Sequence, residues 1–408
     1  MIDPISYEKA GQILLDAVTP VRSAEIAIED CAGYVLAEDI IASADVPPFD
    51  RSPYDGYAFR AADTMNASRD NPVTLRILEE IPAGGVSHIP VTNGTAVKIL
   101  TGAPVPSGAD AVIMFEKTEF TDETVTLFSP VQSGDNVIYA GEDVKKGSVL
   151  AEAGTRIDAG LCGTIASQNI PKPKVFEKPK IGIISTGSEL LEAGEELLPG
   201  KIINSNRYTL SAEVLRLGML PVWIGTAGDS AGEICDLIQK ALEKERCDAV
   251  ILTGGVSVGD YDFTPQAMEM AGAKILVHGV KIKPGMACAY GTIEGKLICG
   301  LSGNPASSLT NFHVLAAPAL RKLCGLREEA WKPAAFPVSV VEGFQKASPG
   351  TRFLRGHLDL SDGTARMHLS ADQGNIVLSS AIGADMMAVI PAGSGPVAAG
   401  DQLTGFLL

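Results

Sequence analysis

The chain has 408 residues, enough for about two to four domains of ~100–200 residues each. Its 49 acidic and 33 basic residues give a net charge of −16, which disfavours nucleic-acid binding through Lys and Arg contacts with phosphate. No apolar run approaches the ~18 residues of a membrane span, and the N-terminus lacks the basic and apolar regions of a signal peptide. The seven scattered cysteines form no CxxC pair and have no zinc-ligand spacing, so we expect a protein of the reducing cytoplasm.

The first part of the chain passes from helix to β structure. Apolar residues at helical spacing over residues 6–19 predict an amphipathic helix, which Ser6 can cap. Short β-type runs separated by Gly/Pro turns then predict a small β domain over residues 46–141. We assign the flanking residues 1–45 and 142–178 to one discontinuous linker domain of mixed structure.

Strand and helix patterns alternate over residues 179–327, which predicts a doubly wound parallel α/β sheet with helices on both faces. The predicted strands there are Lys180–Ser185, Leu220–Gly225, Ala249–Thr253, Lys274–Ile282 and Lys296–Leu301. Residues 328–408 return to short β runs, among them Arg352–Leu358 and Ile376–Leu378, and predict a small, barrel-like C-terminal β domain. The predicted fold class is therefore multi-domain, α/β and β.

Glycine-bearing polar turns directly follow four of the predicted parallel strands. They are Thr186–Glu189, Gly228–Asp229, Thr253–Asp262 and Ser302–Pro305. Because the carboxyl ends of parallel strands lie at one edge of a sheet, we expect these turns to converge in one crevice. Backbone N–H groups in such turns, and the helix that begins after Ser302, can hold a phosphate. GxxxxGK[ST] and GxGxxG are both absent, which disfavours a standard ATPase or dinucleotide site.

Carboxylates accompany these turns. Glu189, Asp229, Asp260 and Asp262 would repel a phosphate on their own, so their presence predicts a divalent cation, most often Mg²⁺, between carboxylates and phosphate. Each carboxylate also has a purely structural alternative. Asp229, for instance, stands just before a helix and would serve there as its N-cap.

A second group of candidate residues lies in the small β domain. The loop Phe49–Ala58 brings Asp, Arg, Ser and two Tyr into ten residues, and its Asp55 is the main candidate for recognition chemistry. The alternative is an incidental Asp in an Asp-Gly turn. Thr101 belongs to a similar glycine-proline turn, and Gly141–Asp143 forms another acidic turn. The five histidines are scattered without a nucleophile motif, so a triad hydrolase has no support.

Seven of these segments, in this order, carry a family resemblance. They are Phe49–Ala58, Leu100–Ala103, Gly141–Asp143, Ser185–Leu190, Thr253–Gly259, Lys283–Gly285 and Gly300–Pro305. With them the chain resembles the molybdopterin molybdenumtransferases, the MoeA / gephyrin E-domain family, over nearly its whole length.

The resemblance implies a reaction and an assembly. Family members insert molybdate into the dithiolene of adenylylated molybdopterin and release AMP, in a Mg²⁺-dependent step that makes molybdenum cofactor. A partner enzyme that adenylylates molybdopterin would supply the substrate. The family forms elongated homodimers of four-domain subunits, with the linker domain in dimerisation. Its active site lies between the α/β domain of one subunit and the first β domain of the other.

The resemblance also implies roles for individual residues. The functional carboxylates would be Asp55, Glu189, Asp229 and Asp262, the last three as metal ligands. The molybdopterin substrate would be bound by Thr101, Asp143, Thr186, Gly187, Ser188, Gly254, Gly255, Ser257, Asp260, Ser302, Gly303, Asn304 and Pro305. Molybdate would be bound by Lys283 and, from the C-terminal domain, Arg352, Arg355, Ser379 and Ser380.

Two residues depart from the family pattern. The family commonly reads KPGK, but Met286 stands here in place of the second lysine. Lys281 would point the same way as Lys283 only if the strand between them is uninterrupted. Ser302 replaces the first proline of GLPGNP, which loosens the turn but adds a hydroxyl. Both departures leave the choice between molybdate and tungstate open.

Two other functions remain possible from the sequence. One is a related enzyme that inserts tungstate. The other is a pterin-binding scaffold without catalysis, as the kinship with gephyrin permits. The complete set of carboxylates argues against the scaffold, because a scaffold needs no Mg²⁺ ligands.

Overall fold

A computed structural model of the chain describes residues 4–257 and 262–408, and the chain divides into two compact units. The larger unit takes in the chain up to Glu38, Ala153–Ala159 and Lys172–Leu408. The smaller unit takes in Asp39–Glu152 and Gly160–Pro171. The finer division into four domains stays a prediction.

The helices are α1 Tyr7–Asp16, α2 Ala159–Ser167, α3 Ser205–Arg216, α4 Ala231–Gln239, α5 Thr264–Met270, α6 Pro305–Asn311 and α7 Ala317–Leu323. The π-helical turn Lys240–Lys244 extends α4, and a second one, Phe312–Ala316, joins α6 to α7. Ser6 caps α1 as predicted, since its side chain accepts a hydrogen bond from the Lys9 N–H at 3.3 Å. Among the described residues no helix has the length and apolar character that crossing a membrane would require.

The strands are β1 Ser23–Glu25, β2 Val35–Leu36, β3 Ile40–Ile41, β4 Gly56–Phe59, β5 Val73–Ile81, β6 Thr95–Ile99, β7 Ala111–Met114, β8 Thr118–Phe120, β9 Thr124–Leu127, β10 Val149–Ala151, β11 Lys174–Phe176, β12 Lys180–Thr186, β13 Leu190–Leu191, β14 Ile202–Ile203, β15 Leu220–Ala227, β16 Ala249–Thr253, β17 Lys274–His278, β18 Ile282–Lys283, β19 Ala289–Ile293, β20 Lys296–Leu301, β21 Ala335–Val340, β22 Thr351–Asp359, β23 Arg366–Leu369, β24 Met386–Ile390 and β25 Gln402–Leu407.

The main sheet of the larger unit has the strand order β15-β12-β16-β20-β19-β17. Its first four strands are parallel, as predicted, while β19 pairs antiparallel with both β20 and β17. Side chains of the central strand β16 alternate between two apolar cores. Ala249 and Ile251 belong to one core, and Val250 and Leu252 to the other. Burying one Val, Leu or Ile side chain contributes about 1.5–3 kcal/mol, so a strand buried on both faces is apolar throughout.

The predicted strand Lys274–Ile282 is two strands in the structure. β17 ends at His278, and Ile282–Lys283 forms β18, which pairs with β22 of the C-terminal domain instead. Gly279 lies between them with φ +82°, a left-handed conformation that breaks an extended strand. This break brings Lys283 beside the C-terminal domain.

The C-terminal domain is a closed barrel of five strands, in the order β22-β23-β21-β25-β24, with β24 pairing back to β22. The predicted strand Ile376–Leu378 is wrong, because the backbone there leads into the 3₁₀ turn Leu378–Ala381. Ile376 is 66% exposed, so its apolar side chain does not mark a buried strand.

The smaller unit contains a six-stranded sheet in the order β7-β4-β6-β5-β9-β8, which confirms β structure in this part of the chain. Strand β4 pairs antiparallel with β6, so that Gly56 lies opposite Ile99. Asp55, directly before β4, and Thr101, two residues after β6, are therefore brought close together.

Candidate functional site

The polar turns of the main sheet form one cleft of about 660 Å³, here called the glycine cleft. Twelve of the predicted site residues line it: Thr186, Gly187, Glu189, Asp229, Gly254, Gly255, Ser257, Asp262, Ser302, Gly303, Asn304 and Pro305. Ser188 does not line the cleft but lies next to it in the chain. Asp260 lies outside the described residues. The predicted convergence at the carboxyl edge of the sheet is therefore found for every described turn.

Glycines let these turns approach one another closely. The Gly254 N–H donates to the Leu301 carbonyl at 3.1 Å, and the Thr186 hydroxyl donates to the Thr253 carbonyl at 3.1 Å. Gly254 has φ +98°, and a Cβ there would lie 2.6 Å from the Thr186 carbonyl oxygen. The cleft floor is thus backbone packed against backbone, which leaves no room for a side chain at this position.

The carboxylates Glu189, Asp229 and Asp262 are among the residues that line the cleft. Asp229 Oδ2 accepts a hydrogen bond from the Ser188 N–H at 3.4 Å. The N-cap of α4 is Ser230, whose side chain accepts from the Glu233 N–H, so Asp229 does not cap that helix. A Cβ on Gly187 would lie 2.3 Å from Glu189 Oε2, so the Glu189 carboxylate packs over a glycine. Because Ser230 caps α4, the capping alternative for Asp229 is wrong.

These carboxylates do not form a closed metal cage. Within residues 4–257 and 262–408, no three His, Cys, Asp or Glu side chains are grouped so that they could hold a metal ion. Mg²⁺ characteristically takes only one or two protein carboxylates and completes its six ligands with waters and substrate phosphate. An open cleft lined by Glu189, Asp229 and Asp262 fits that mode of binding.

The start of α6 differs from the expectation that it is open to a phosphate. The N–H groups of Ala306 and Ser307 donate to the Asn375 carbonyl of the C-terminal domain at 3.1 and 3.3 Å. The Ser308 N–H donates to the Asn304 carbonyl, and Pro305 has no N–H. The first amides of this helix are therefore already occupied.

Ser302 stabilises its turn through a side-chain hydrogen bond, whereas the sequence suggested a looser turn than a proline would give. Its hydroxyl accepts a hydrogen bond from the Asn304 N–H at 3.3 Å. Asn311 of α6 then ties the turn to the Lys283–Gly285 segment, since it accepts from the Ser302 N–H and donates to the Gly285 carbonyl at 2.7 Å. The serine thus replaces the rigidity of a proline with a hydrogen bond.

A second cleft of about 1090 Å³, here called the cation cleft, lies against the barrel. It shares Ala287, Ser302 and Asn304 with the glycine cleft. Lys283 and Arg352 line it and lie opposite each other in the parallel pairing of β18 with β22. Two molybdate candidates from different parts of the sequence are thereby adjacent.

Arg352 is held in place without a carboxylate. Its Nε donates to Ser348 Oγ at 2.9 Å, and its guanidinium lies 4.9 Å from the centre of the Phe344 ring. Burial lowers the pKa of Arg352 from its ordinary value, and the group stays charged because an arginine pKa is so high. A buried cation held only by neutral groups favours an anionic ligand.

Arg355 is buried behind the cation cleft rather than lining it. Nε and Nη2 donate to Ser380 Oγ at 3.2 and 2.9 Å, and Nη2 also reaches the Gly374 carbonyl at 3.2 Å. Nη1 is buried and has no hydrogen-bond partner among the described residues. Burial is the main cause that lowers the pKa of Arg355, opposed by the negative charge of Asp372. Ser379 is exposed, so the two candidate serines differ in surroundings.

In the smaller unit, Asp55 and Thr101 are directly hydrogen-bonded. The N–H and the hydroxyl of Thr101 both donate to Asp55 Oδ1 at 2.7 Å, and together they lower the pKa of the Asp55 carboxyl. Gly56 serves close strand packing, since a Cβ there would lie 1.9 Å from the Ile113 carbonyl oxygen. Asp143 is exposed in its turn, where its N–H donates to the Val46 carbonyl at 3.0 Å. The Asp55 carboxylate is thus hydrogen-bonded inside the smaller unit, and its role in recognition stays a prediction.

The chain matches two family descriptions. Residues 5–168 match the MoeA N-terminal region (domain I and II), and residues 182–322 match the probable molybdopterin binding domain. The chain is also 35% identical over 392 residues to the molybdopterin molybdenumtransferase of Staphylococcus aureus strain COL, across 96% of this chain and 93% of that protein. It belongs to the molybdopterin molybdenumtransferase family. The resemblance stated from the sequence motifs is confirmed, and the chain is a transferase of molybdenum cofactor biosynthesis.

Further relatives support the same family assignment. A molybdopterin molybdenumtransferase of Staphylococcus epidermidis strain RP62A is 37% identical over 358 residues, which cover 88% of this chain and 84% of that protein. The crystal structure of the molybdopterin biosynthesis moeA protein from Pyrococcus horikoshii OT3 has a TM-score of 0.85 at 32% identity, with both chains fully covered. A molybdenum cofactor biosynthesis protein from Pyrococcus furiosus, at 21% identity and a TM-score of 0.61, supports the fold alone.

The sequence reasoning missed cleft residues of this molybdopterin molybdenumtransferase family member. Asn204 Oδ1 accepts from the Ser185 hydroxyl at 3.2 Å and from the Arg207 N–H, which caps α3. Asn206 Nδ2 donates to the Gly303 carbonyl at 2.8 Å, and both asparagines line the glycine cleft. The available signal was a helix that opens on Asn-Ser-Asn at the same sheet edge.

Proposed function

We propose that the chain inserts molybdate into the dithiolene of adenylylated molybdopterin, with Mg²⁺, and releases AMP. The observation that supports this most directly is the junction of the two clefts at Ala287, Ser302 and Asn304. One cleft is lined by glycine turns and carboxylates, and the other is lined by cations without ion partners among the described residues. An oxyanion in the cation cleft would therefore stand next to a phosphorylated pterin in the glycine cleft.

The glycine cleft would bind and orient the pterin substrate. The turns at Gly254, Gly255 and Ser257 offer close backbone approach, and Asn304 and Ser302 stand at the border with the cation cleft. Such turns suit phosphate because their N–H groups carry partial positive charge without a bulky side chain. The main contribution to catalysis that we assign to these turns is the orientation of the two reactants, the pterin and the oxyanion.

The carboxylates would hold the divalent cation. Glu189, Asp229 and Asp262 are the residues that we assign to Mg²⁺, each as one of at most two protein ligands at a time. The bound cation would neutralise charge on the departing AMP phosphate.

The cation cleft would receive the oxyanion. Lys283 and Arg352 line the cleft and would attract molybdate, while the buried Arg355, fixed by Ser380, adds positive charge beneath the cleft residues Asp372 and Gly374, whose carbonyls it contacts. Two guanidinium groups held by neutral side chains and carbonyls are pre-organised for a tetraoxo dianion. The same geometry would accept tungstate.

The functional assembly that we propose is a homodimer. Asp55 and Thr101 of one subunit would complete the glycine cleft of the other, and Asp143 of the same subunit would also bind the substrate. A partner enzyme that adenylylates molybdopterin would supply the substrate. We place the activity in the cytoplasm, in keeping with seven scattered cysteines that form no CxxC pair.

Reconstitution with adenylylated molybdopterin, Mg²⁺ and molybdate tests the proposal. We expect AMP release together with active cofactor, and neither without Mg²⁺. Pterin binding without AMP release would replace the proposal with a scaffold, and turnover with tungstate alone would replace it with a tungstate-inserting enzyme. Mixing Asp55→Ala and Asp229→Ala subunits should restore part of the activity if the site is shared. No restoration after confirmed subunit exchange would count against a shared site.

A further inference from the structure

The cation cleft is lined by more positively charged side chains than the molybdate candidates assigned from the sequence. Beside Lys283 and Arg352 it is lined by Lys281 and Lys346. Within the two described stretches of the chain, none of these four side chains takes part in an ion pair. Like charges gathered in one cleft repel each other, and a bound anion relieves that repulsion.

The acidic residues of the same cleft are already engaged elsewhere. Glu342 lies 3.1 Å from His368 Nδ1 and accepts the Leu369 N–H at 2.7 Å. Asp372 Oδ1 accepts the Gly374 N–H at 2.7 Å. Neither carboxylate forms an ion pair with the four cations, so the charge of the cluster is available to a ligand.

The strand that the sequence required between Lys281 and Lys283 is interrupted by a bend at Lys281, but Lys281 lines the cation cleft nevertheless. Ile282 is 3% exposed, whereas Lys281 and Lys283 on either side of it are exposed. The Lys281 carbonyl accepts the Thr351 N–H at 3.1 Å, and the Ile282 N–H donates back to the Val280 carbonyl at 2.7 Å. Although the chain bends at Lys281, Lys281 and Lys283 both line the cation cleft.

Met286 lines the same cleft and is 56% exposed, at the position where the family commonly has lysine. Lys346 reaches the cleft from the barrel side. It stands between Phe344 and Ser348, the two residues that contact Arg352, and it is exposed. Lys281 and Lys346 thus approach from two sides the cleft that lacks a lysine at residue 286.

We propose that Lys281 and Lys346 replace the positive charge that the family commonly places at residue 286 and draw a tetraoxo dianion into the cation cleft. The inference rests on the proposed function, because it names the binding residues of the oxyanion substrate. Their ligand is a dianion of tetrahedral geometry, with molybdate as the probe.

Calorimetric titration of the whole chain with sodium molybdate tests the inference without turnover. We expect Lys281→Ala and Lys346→Ala each to weaken binding about five- to tenfold, the effect of losing one favourable charge contact. Lys281→Arg should retain affinity, and Met286→Lys should restore it in the Lys281→Ala background. Lys274→Ala, which removes an exposed lysine of β17 outside the cleft, serves as the control. Binding by the wild type and both lysine variants should also be compared at low and high salt, where the variants should show a smaller loss.

Each other outcome overturns a defined part of the argument. Wild-type binding with unchanged affinity in both variants overturns the inference and leaves the proposed function standing. Weaker AMP binding with unchanged molybdate affinity assigns the lysines to the nucleotide and also overturns it. Failure of Met286→Lys to restore affinity rejects a replacement of that charge. No molybdate or tungstate binding by the wild type contradicts the proposed function itself.

Discussion

Arg355 donates two hydrogen bonds to the hydroxyl of Ser380, from Nε at 3.2 Å and from Nη2 at 2.9 Å. Both groups are buried, and Nη1 of the same guanidinium has no partner among the residues described. An unpaired buried donor costs about 1–3 kcal/mol, so a fold that keeps one gains something from a ligand. The neighbouring Ser379 is exposed and cannot fix the arginine in this way.

We therefore predict that Ser380→Ala weakens molybdate binding about tenfold, because Arg355 loses the acceptor that orients it. Ser379→Ala should bind molybdate as the wild type does. Titration calorimetry of both variants makes the comparison, with circular dichroism to show that each is folded. Equal effects of the two substitutions would mean that the contact of Ser380 with Arg355 does not orient the oxyanion site.

Thr101 controls the protonation of Asp55. Its two hydrogen bonds lower the pKa of that carboxyl and so favour the ionised form of Asp55. Thr101→Val removes the hydroxyl bond and keeps the backbone bond, which raises the pKa of Asp55 part of the way back. We predict that the acid limb of the pH–activity profile moves to higher pH.

The control for that profile is Thr126→Val, which removes a threonine hydroxyl that bonds Thr74 in the same sheet. It should leave the acid limb in place. Asp55→Asn should lose activity at every pH, because the amide cannot ionise. A higher KM at neutral pH for Thr101→Val, with an unmoved acid limb, would assign the hydroxyl to the substrate instead.

Gly254 tests whether the floor of the glycine cleft tolerates any side chain. Gly254→Ala places a Cβ 2.6 Å from two oxygens of Thr186, at φ +98°. The positive φ costs about 1 kcal/mol and the overpacking about 1–3 kcal/mol more. Gly272→Ala has a similar φ of +92° and open space, so it should lose only the first amount. Chemical denaturation of both variants measures the difference, and equal losses would show that the turn relaxes away from the clash.

The sequence was sufficient where residue type alone determines the structure. An apolar strand that ends in Gly254-Gly255 can only be a buried strand followed by a tight turn, and both the strand Ala249–Thr253 and its place in the cleft were predicted. The location of Lys283 was harder. Its placement beside Arg352 depends on a strand break at Gly279 and on pairing with a strand about 70 residues away in the chain, which no local pattern records.

The start of α6 also depends on a long-range contact that the sequence does not reveal. Its sequence, Asn304-Pro305 before a helix, is typical of an open anion site, and that expectation is correct about the helix. The amides are nevertheless occupied by the carbonyl of Asn375, in a segment without regular structure that arrives from the barrel. Long-range contacts made by backbone carbonyls leave no trace in residue type, so they could not be predicted.

The contact between α6 and Asn375 predicts that the Asn375 carbonyl competes with a bound phosphate for the N–H groups of Ala306 and Ser307. Residues 371–377, here called the barrel strap, are held by Gln373, which exchanges hydrogen bonds with the backbone of Arg355 at 2.9 and 2.8 Å. Gln373→Ala should loosen the strap, speed hydrogen exchange at Ala306 and Ser307 several-fold, and tighten AMP binding if phosphate uses these amides. Hydrogen-exchange mass spectrometry of Gln373→Ala measures the exchange rate at both amides, with Gln345→Ala as the control. Unchanged exchange at both amides would mean that Gln373 does not hold the strap.

His313 gives the larger unit a pH-dependent stability. It is 6% exposed in the turn between α6 and α7, with Nε2 3.6 Å from Glu213 Oε1. Burial, and then the positive charges of Arg216 and Arg321, lower the pKa of His313 to about 3. The unfolded chain has a His pKa of about 6.5, so below that pH it takes up a proton that the folded state does not.

The stability contributed by neutral His313 is therefore complete above about pH 6.5 and is lost as the pH falls toward about 3. We predict that the free energy of unfolding falls by up to about 1.4 kcal/mol per pH unit between pH 6 and about 4 from this one group. His313→Gln cannot take up the proton, so its unfolding free energy should fall less steeply over the same range, whatever its value at neutral pH. His357→Gln, at an exposed position of the barrel, should keep the wild-type slope, and chemical denaturation at several pH values compares the three chains. A wild-type slope retained by His313→Gln would show that carboxylates, and not this histidine, govern the acid sensitivity of the larger unit.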